Sequence, residues 1–391
     1  MKPKVCLLLL CFILSGCATT DLPPVTRDSV LEDDEERLWL RSEEEQEVID
    51  QSGLLYEDIQ LDVYLNRVAR RLQSPEIWHS IPFQIKVIED PHLNAFAYPN
   101  GVIYLHTGIL ARMDNEAQLA TLLGHEMTHT THRHAVKNFR SIKNKTAILA
   151  TIQVSAGGFG GGIGDLVNIL GTLGTMAAVT GYSRELETEA DTMGFDLMVA
   201  AGYDPREAPK LFVHIKRELE EEDIREPFFF GTHPRIQNRI DNYESFLEDK
   251  VQNYYGGLDN SDVFLEKVHR LILDNAVLDL RAGRFKTAQR GAQRYLRLRP
   301  NDAEAYHLLG EVFRQRGEEG DWEVAEDYYR KAIAIDPLFP ESHRGLGLIY
   351  FKQGRKKMAK AHFETYLSLN PQASDRLYAE EYIRQCEQMP N

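Results

Sequence analysis

Gly124-His125-Glu126-Met127-Thr128-His129 is the stretch of this chain whose residue types and spacing can do chemistry. Histidines four apart on a helix lie about 40° apart around its axis, so His125 and His129 would share one face. Two imidazoles on that face can grip one zinc ion. Glu126 beside them can take a proton from water activated at the metal. Catalytic zinc commonly takes three protein ligands and leaves one position to water. Candidates for the third lie in Ser183-Arg184-Glu185-Leu186-Glu187-Thr188-Glu189-Ala190-Asp191. Glu187 and Asp191 are four apart and share a face. Glu187 could therefore ligate while Asp191 orients a ligating histidine from behind. Glu185 and Glu189 share another face and read as solvated. Either His132 or His134 could be a ligand, but both read first as surface or supporting histidines.

These side chains need elements to hold them. Asp114 or Asn115 is placed to cap a helix with Glu116 in its first turn. Leu119, Leu122 and Leu123 give that helix a buried side, and the pattern predicts that it runs on to about Phe139. Ahead of it, Phe83 to Ile88 alternates like a strand. Asn94 to Tyr98 and Val102 to Leu105 flank Pro99-Asn100-Gly101, a tight-turn signal. A strand edge next to a zinc helix can hold an extended peptide by backbone hydrogen bonds. Leu61, Tyr64, Leu65, Val68 and Leu72 have helical spacing. The acidic stretch Glu32 to Glu47 reads as an amphipathic helix with a solvated acidic face. Thr146 to Gly181 is broken by glycines and lacks a phosphate-loop pattern. It reads as a mobile, apolar flap beside the site, with membrane contact as the second reading, and not as a membrane span.

The 391 residues leave room for two or three domains, and 43% hydrophobic content can fill their cores. A net charge of −15 disfavours nucleic acid as a partner. Lys2, Lys4 and the apolar run Val5 to Leu14 form a secretory signal. It ends in Leu14-Ser15-Gly16-Cys17, which resembles a bacterial lipobox. The resemblance implies cleavage before Cys17 and lipid on that residue. Ala18 follows, with no Asp at the position that retains such proteins at the inner membrane. The expectation is a lipid anchor at the outer membrane of a Gram-negative bacterium, facing the periplasm. Of four cysteines only Cys386 would stay free after processing, so no intramolecular disulfide is expected.

His125-Glu126-x-x-His129 with Glu187-x-x-x-Asp191, preceded by Ser183-Arg184, resembles the CAAX-protease and HtpX type of zinc metallopeptidases. Asn94-Ala95-Phe96-Ala97, His106-Thr107-Gly108 and Arg133-His134 also match that family, over roughly residues 40 to 245. The resemblance implies Glu187 as third ligand of one zinc per chain, with Asp191 behind it. Gly231-Thr232-His233-Pro234 with Arg239 matches the soluble, periplasmic branch. It implies a role near zinc for His233, at the oxyanion or the open position, with Arg239 helping to place it.

Beyond about residue 260 the chain repeats. Arg299-Pro300, Asp336-Pro337 and Asn370-Pro371 close units 37 and 34 residues apart. Ala288, Ala325 and Ala359 recur within them, as do Gly310 and Gly347, then Phe313 and Tyr350. This is the tetratricopeptide pattern, about three units with a capping helix from Asp375 to Gln388. Arg281 to Arg299 forms a basic stripe without acids, suited to an acidic partner or anionic headgroups, or else a solvated face. The expected architecture is a signal peptide (1–16), a tether (17–31), an α+β zincin-like metallopeptidase domain (32–250), mostly helical with a small sheet, and an all-α repeat domain (260–391). The expected function is a zinc endopeptidase of envelope quality control, acting on unfolded or misassembled outer-membrane proteins. Its repeats would hold substrates or dock on assembly machinery. The alternative is a chaperone or adaptor whose protease site is mostly latent.

Overall fold

The computed structural model describes residues 22–144, 174, 182–221, 236–251 and 256–388. Cys17, His233 and all of the glycine-rich stretch but Gly174 lie outside them. The chain opens with α1 (Asp33–Gln51), α2 (Ile59–Leu72) and α3 (Pro75–Ser80). Strands β1 (Gln84–Ile88), β2 (Ala95–Ala97) and β3 (Val102–His106) follow, then α4 (Thr107–Leu110), α5 (Glu116–Thr131) and α6 (His134–Asn144). Next come α7 (Arg184–Ala200), α8 (Ala208–Glu221) and α9 (Ile236–Lys250).

The sheet has the order β1-β3-β2, with β1 parallel and β2 antiparallel to the central β3. The turn between β2 and β3 needs glycine. Gly101 has φ +96°, and a Cβ there would lie 2.5 Å from Ile81 Cγ2. The outer edge of β1 is covered: Tyr56 N–H donates to Val87 O (2.9 Å) and Glu89 N–H to Leu54 O (2.8 Å). The outer edge of β2 pairs with no further strand among the described residues, and Ala95, Phe96 and Ala97 are buried.

Helix α5 is the axis of the fold, and every residue from Glu116 to Thr131 is buried. Asn115 caps it, its side chain accepting the Gln118 N–H at 3.0 Å. Glu116 joins that end to three other elements through Tyr64 (2.8 Å), Tyr203 (2.7 Å) and Asn260 (2.8 Å). The helix does not run on to Phe139 as its pattern predicts. Arg133 takes a left-handed φ of +56°, a conformation that costs a non-glycine residue about 1–2 kcal/mol. Its guanidinium pairs with the buried Glu35 carboxylate at 3.1 Å. The acidic face of α1 is thus partly spent inside the protein. Glu45 takes Arg41 at 2.9 Å, and Asp34 and Glu32 grip Arg140 at 2.6 Å.

Helix α7 crosses α5 where both carry glycine. A Cβ on Gly194 would lie 2.6 Å from His125 N, and one on Gly124 would lie 2.7 Å from Gly194 O. The close approach brings the first turn of α7 onto the histidine face of α5. Gly194→Ala is expected to push the helices apart, costing about 1–3 kcal/mol as overpacking and weakening any metal binding by the histidine face. Denaturant titration and a competition assay for zinc would measure both. An unchanged zinc affinity would mean that this crossing does not set the site.

Seven further helices among the described residues build the C-terminal part: α10 (Ser261–Arg281), α11 (Phe285–Leu298), α12 (Ala303–Arg316), α13 (Asp321–Ile335), α14 (Pro340–Lys352), α15 (Lys356–Leu369) and α16 (Arg376–Gln388). They form three helix pairs and a cap, as the period predicts. Ala288, Ala325 and Ala359 are fully buried, and Gly310 and Gly347 lie flat under Tyr329 and Phe363. The first repeat shares one apolar core with α2, α5 and α8. Polar ties reinforce it: Tyr56 OH donates to Asp274 (2.7 Å), and Arg294 donates to Ala111 O (2.8 Å). No described helix is long and apolar enough to cross a membrane.

Candidate metal centre

His125 and His129 lie one turn apart on α5, and Glu187 faces them from the first turn of α7. Ser183 caps α7, and the positive end of the helix dipole favours a carboxylate at Glu187. The two Nε2 atoms are 3.0 Å apart. Glu187 Oε2 lies 3.5 Å from the first, and its Oε1 lies 3.7 Å from the second. Ligands about 2.0–2.2 Å from a tetrahedral zinc would stand roughly 3.3–3.6 Å from one another. The three residues therefore fit such an ion, and they are the one group among the described residues with this arrangement. All three are at most 1% exposed, and Glu126 beside them is 2% exposed. Glu185 is exposed and Glu189 is turned elsewhere.

Asp191 stands behind His125. Its Oδ1 lies 3.0 Å from His125 Nδ1 and accepts from Arg239 (2.6 Å) and Tyr243 OH (3.1 Å). A proton on Nδ1 donated to Asp191 leaves the Nε2 lone pair facing the metal position. Asp191 and Arg239 are fully buried. Against the burial that would neutralise it, the Asp191 carboxylate holds the Arg239 pKa above its ordinary value. The guanidinium also lies 4.2 Å over the Phe212 ring. Burial first, and the Asp191 charge second, push the Tyr243 hydroxyl well up, so it stays protonated and donates.

The second histidine has a support that the spacing did not reveal. His129 Nδ1 lies 2.8 Å from His134 Nδ1, and His134 Nε2 lies 3.2 Å from Glu189 Oε2. On a continuous helix His134 would point about 140° away from His129. The left-handed Arg133 is what turns it back. Burial, followed by the charges of Lys137 and His132, lowers the His134 pKa to about 3. The ring is then neutral. It accepts from His129 Nδ1–H and donates Nε2–H to Glu189, so the His129 Nε2 lone pair faces the metal position. Glu189 is therefore not simply solvated; it also lies within 3.9 Å of His132. Glu189→Gln is expected to weaken zinc binding about 10–100-fold, the usual effect of losing such support. Equal zinc affinity in the two proteins would discard the relay.

Tyr182 stacks on His129, with ring centroids 4.2 Å apart and planes at 20°. Its position just before Ser183-Arg184 was the available signal. His106-Thr107-Gly108 serves the sheet. His106 Nδ1 lies 3.3 Å from Asp90, and Gly108 N–H donates to Asp90 O at 2.9 Å.

Two histidines and a carboxylate on crossed helices, with a glutamate next to the first histidine, define the zincin class of metallopeptidase folds. Residues 57–246 match the family model for peptidase family M48. Residues 273–319, 318–354 and 340–373 match tetratricopeptide repeat models. The chain carries a peptidase family M48 domain followed by C-terminal tetratricopeptide repeats. It is 28% identical over 194 residues to the beta-barrel assembly-enhancing protease of Escherichia coli (strain K12), covering 48% of this chain and 39% of that protein. It is 35% identical over 132 residues to the mitochondrial metalloendopeptidase OMA1 of Arabidopsis thaliana, covering 34% of this chain and 25% of that protein. The chain spans about two fifths of the length of the beta-barrel assembly-enhancing protease.

Proposed function

We propose that the chain is a zinc-dependent endopeptidase of envelope protein quality control, acting on unfolded or misassembled outer-membrane proteins. The observation that carries this reading is the buried His125-His129-Glu187 group with Glu126 beside it. One zinc ion bound by those three residues would supply Lewis acidity toward a scissile carbonyl and toward water. Glu126 accepts the proton of the attacking water and returns it to the leaving amine. Asp191 and the His134-Glu189 pair hold the two imidazoles in the ligating tautomer. The outer edge of β2 pairs with the backbone of an extended substrate. His233 is proposed near the open position on the family resemblance.

The lipobox at Leu14 to Cys17 supports a lipid anchor on Cys17. With the relatives named for beta-barrel assembly, it supports a periplasmic setting at the outer membrane. The proposed division places the peptidase domain in 32–250 and the repeats in 260–391, the latter holding substrates or assembly machinery. A second reading, a chaperone or adaptor with a latent site, draws on the burial of all four site residues.

Purified full-length protein should hold one zinc per chain. It should cleave an unfolded outer-membrane β-barrel protein, lose cleavage to a chelator and regain it with zinc. Binding of the unfolded protein without zinc-dependent cleavage would favour the second reading.

A further inference from the structure

The basic stripe noted in the sequence does not face solvent as one surface. Arg284 pairs with Asp279 at 2.8 Å and Arg299 with Glu266 at 2.7 Å. Arg290, Arg294 and Arg297 instead turn toward the peptidase domain, where they wall a cleft of about 260 Å³. The opposite walls are the α4–α5 connection, with Arg112 and Asp114, and α8, with Arg217 and Glu218. Helix α5 rises about 1.5 Å per residue, so His125 lies on the order of 14 Å along it from Glu116. The cleft is separate from the candidate metal centre.

Its charge is unbalanced. Five arginines line it against two carboxylates. Glu218 gives both oxygens to Arg112, at 2.7 and 2.9 Å, and lies 3.7 Å from Arg290, and Arg112 also reaches Asp279 at 2.9 Å. Arg294 is fixed by the carbonyls of Ala111 and Met113 and lies 3.4 Å from Asp114. Arg217 and Arg297 make no ion pair among the described residues. Burial lowers the Arg294 pKa, and Arg112 and Arg297 add to the effect against Asp114. A second observation points to a ligand. Thr287 lines the cleft and is 2% exposed, yet its hydroxyl has no hydrogen-bond partner among the described residues. An unmet buried hydroxyl costs about 1–3 kcal/mol.

We propose that this cleft is a binding site for a phosphate group, held by the arginines of α8 and α11 with the Thr287 hydroxyl and bridging the peptidase domain and the first repeat. Guanidinium groups match phosphate oxygens in geometry and charge. A free phosphate, near-dianionic at neutral pH, offsets the surplus positive charge better than a single carboxylate does, and a singly charged headgroup phosphodiester still presents two oxygens to the guanidinium forks. The phosphate is either a free anion or one displayed on a lipid headgroup. Either source would tie the repeats more firmly to the catalytic domain, because the walls come from both. The proposal stands whether or not the metal centre hydrolyses peptides.

The test uses zinc-loaded full-length protein. Calorimetric titration with inorganic phosphate, at ionic strength held constant with chloride, should show saturable binding of one phosphate per chain. The thermal midpoint should rise with it. Arg217→Gln/Arg297→Gln, which changes two side chains without ion pairs among the described residues, should weaken binding at least tenfold. Thr287→Val, of equal shape, should weaken it several-fold, and basal peptidase activity should not change in either. Sedimentation with phosphatidylglycerol vesicles, against phosphatidylcholine, separates the sources. Retention lost in the variants assigns a headgroup; phosphate binding without retention assigns a free anion. Phosphate acting no better than chloride, variants binding as wild type, or a glutamate-rich peptide binding more tightly than phosphate would each overturn the proposal.

Discussion

Glu126→Gln is expected to keep one zinc per chain and to lose peptide cleavage by at least about 10²–10⁴-fold, the range supplied by a positioned general base. The substitution is nearly isosteric and leaves the ligating side chains in place: the two histidine Nε2 atoms lie 3.0 Å apart, with Glu187 Oε2 3.5 Å from the first and Oε1 3.7 Å from the second. Zinc affinity and thermal stability should therefore stay close to wild type. A glutamine cannot accept the proton of the attacking water, so kcat should fall with little change in KM. The measurement is zinc content together with single-turnover cleavage of an unfolded β-barrel protein. Undiminished cleavage by the zinc-loaded variant would remove Glu126 from the mechanism. A strain carrying the variant that grows normally under envelope stress would shift weight to the chaperone reading.

Arg239→Met should have the largest effect on stability. It strands the Asp191 carboxylate, which is fully buried and holds Arg239 at 2.6 Å. Breaking a buried ion pair from one side costs about 3–5 kcal/mol, because the remaining charge stays uncompensated. Asp191→Asn in the same chain removes that charge, so the double variant should recover part of the loss. Zinc affinity should follow Asp191 instead. Asp191→Asn weakens the hydrogen bond to His125 Nδ1, now at 3.0 Å, and should lower affinity about 10–100-fold. Denaturant midpoints and zinc competition separate the two roles. An Arg239→Met protein that unfolds at the wild-type midpoint would refute the account of the pair.

The sequence by itself determined what depends on near neighbours. Histidines four apart on a helix share a face whatever surrounds them, so His125 and His129 were legible. The same holds for a cap at Asp114 or Asn115, the Pro99-Asn100-Gly101 turn and the recurring alanines and glycines of the repeats. The pairing of Glu187 with Asp191 was legible as a helix face, and the family resemblance singled it out. Only the tertiary structure decided what depends on the path of the chain. The left-handed Arg133 ends α5 and swings His134 onto His129, against a pattern that reads as continuous helix. Glu189, placed on a solvated face by its spacing, lies against His134 because α7 crosses α5 at two glycines. Arg239 reaches Asp191 across 48 residues of sequence. The basic stripe of α11 turns partly inward because the first repeat shares its core with the peptidase domain. Helical periodicity fixes which residues share a face. Which faces meet is fixed by packing and by buried charges finding partners, and no period in the sequence encodes those distances.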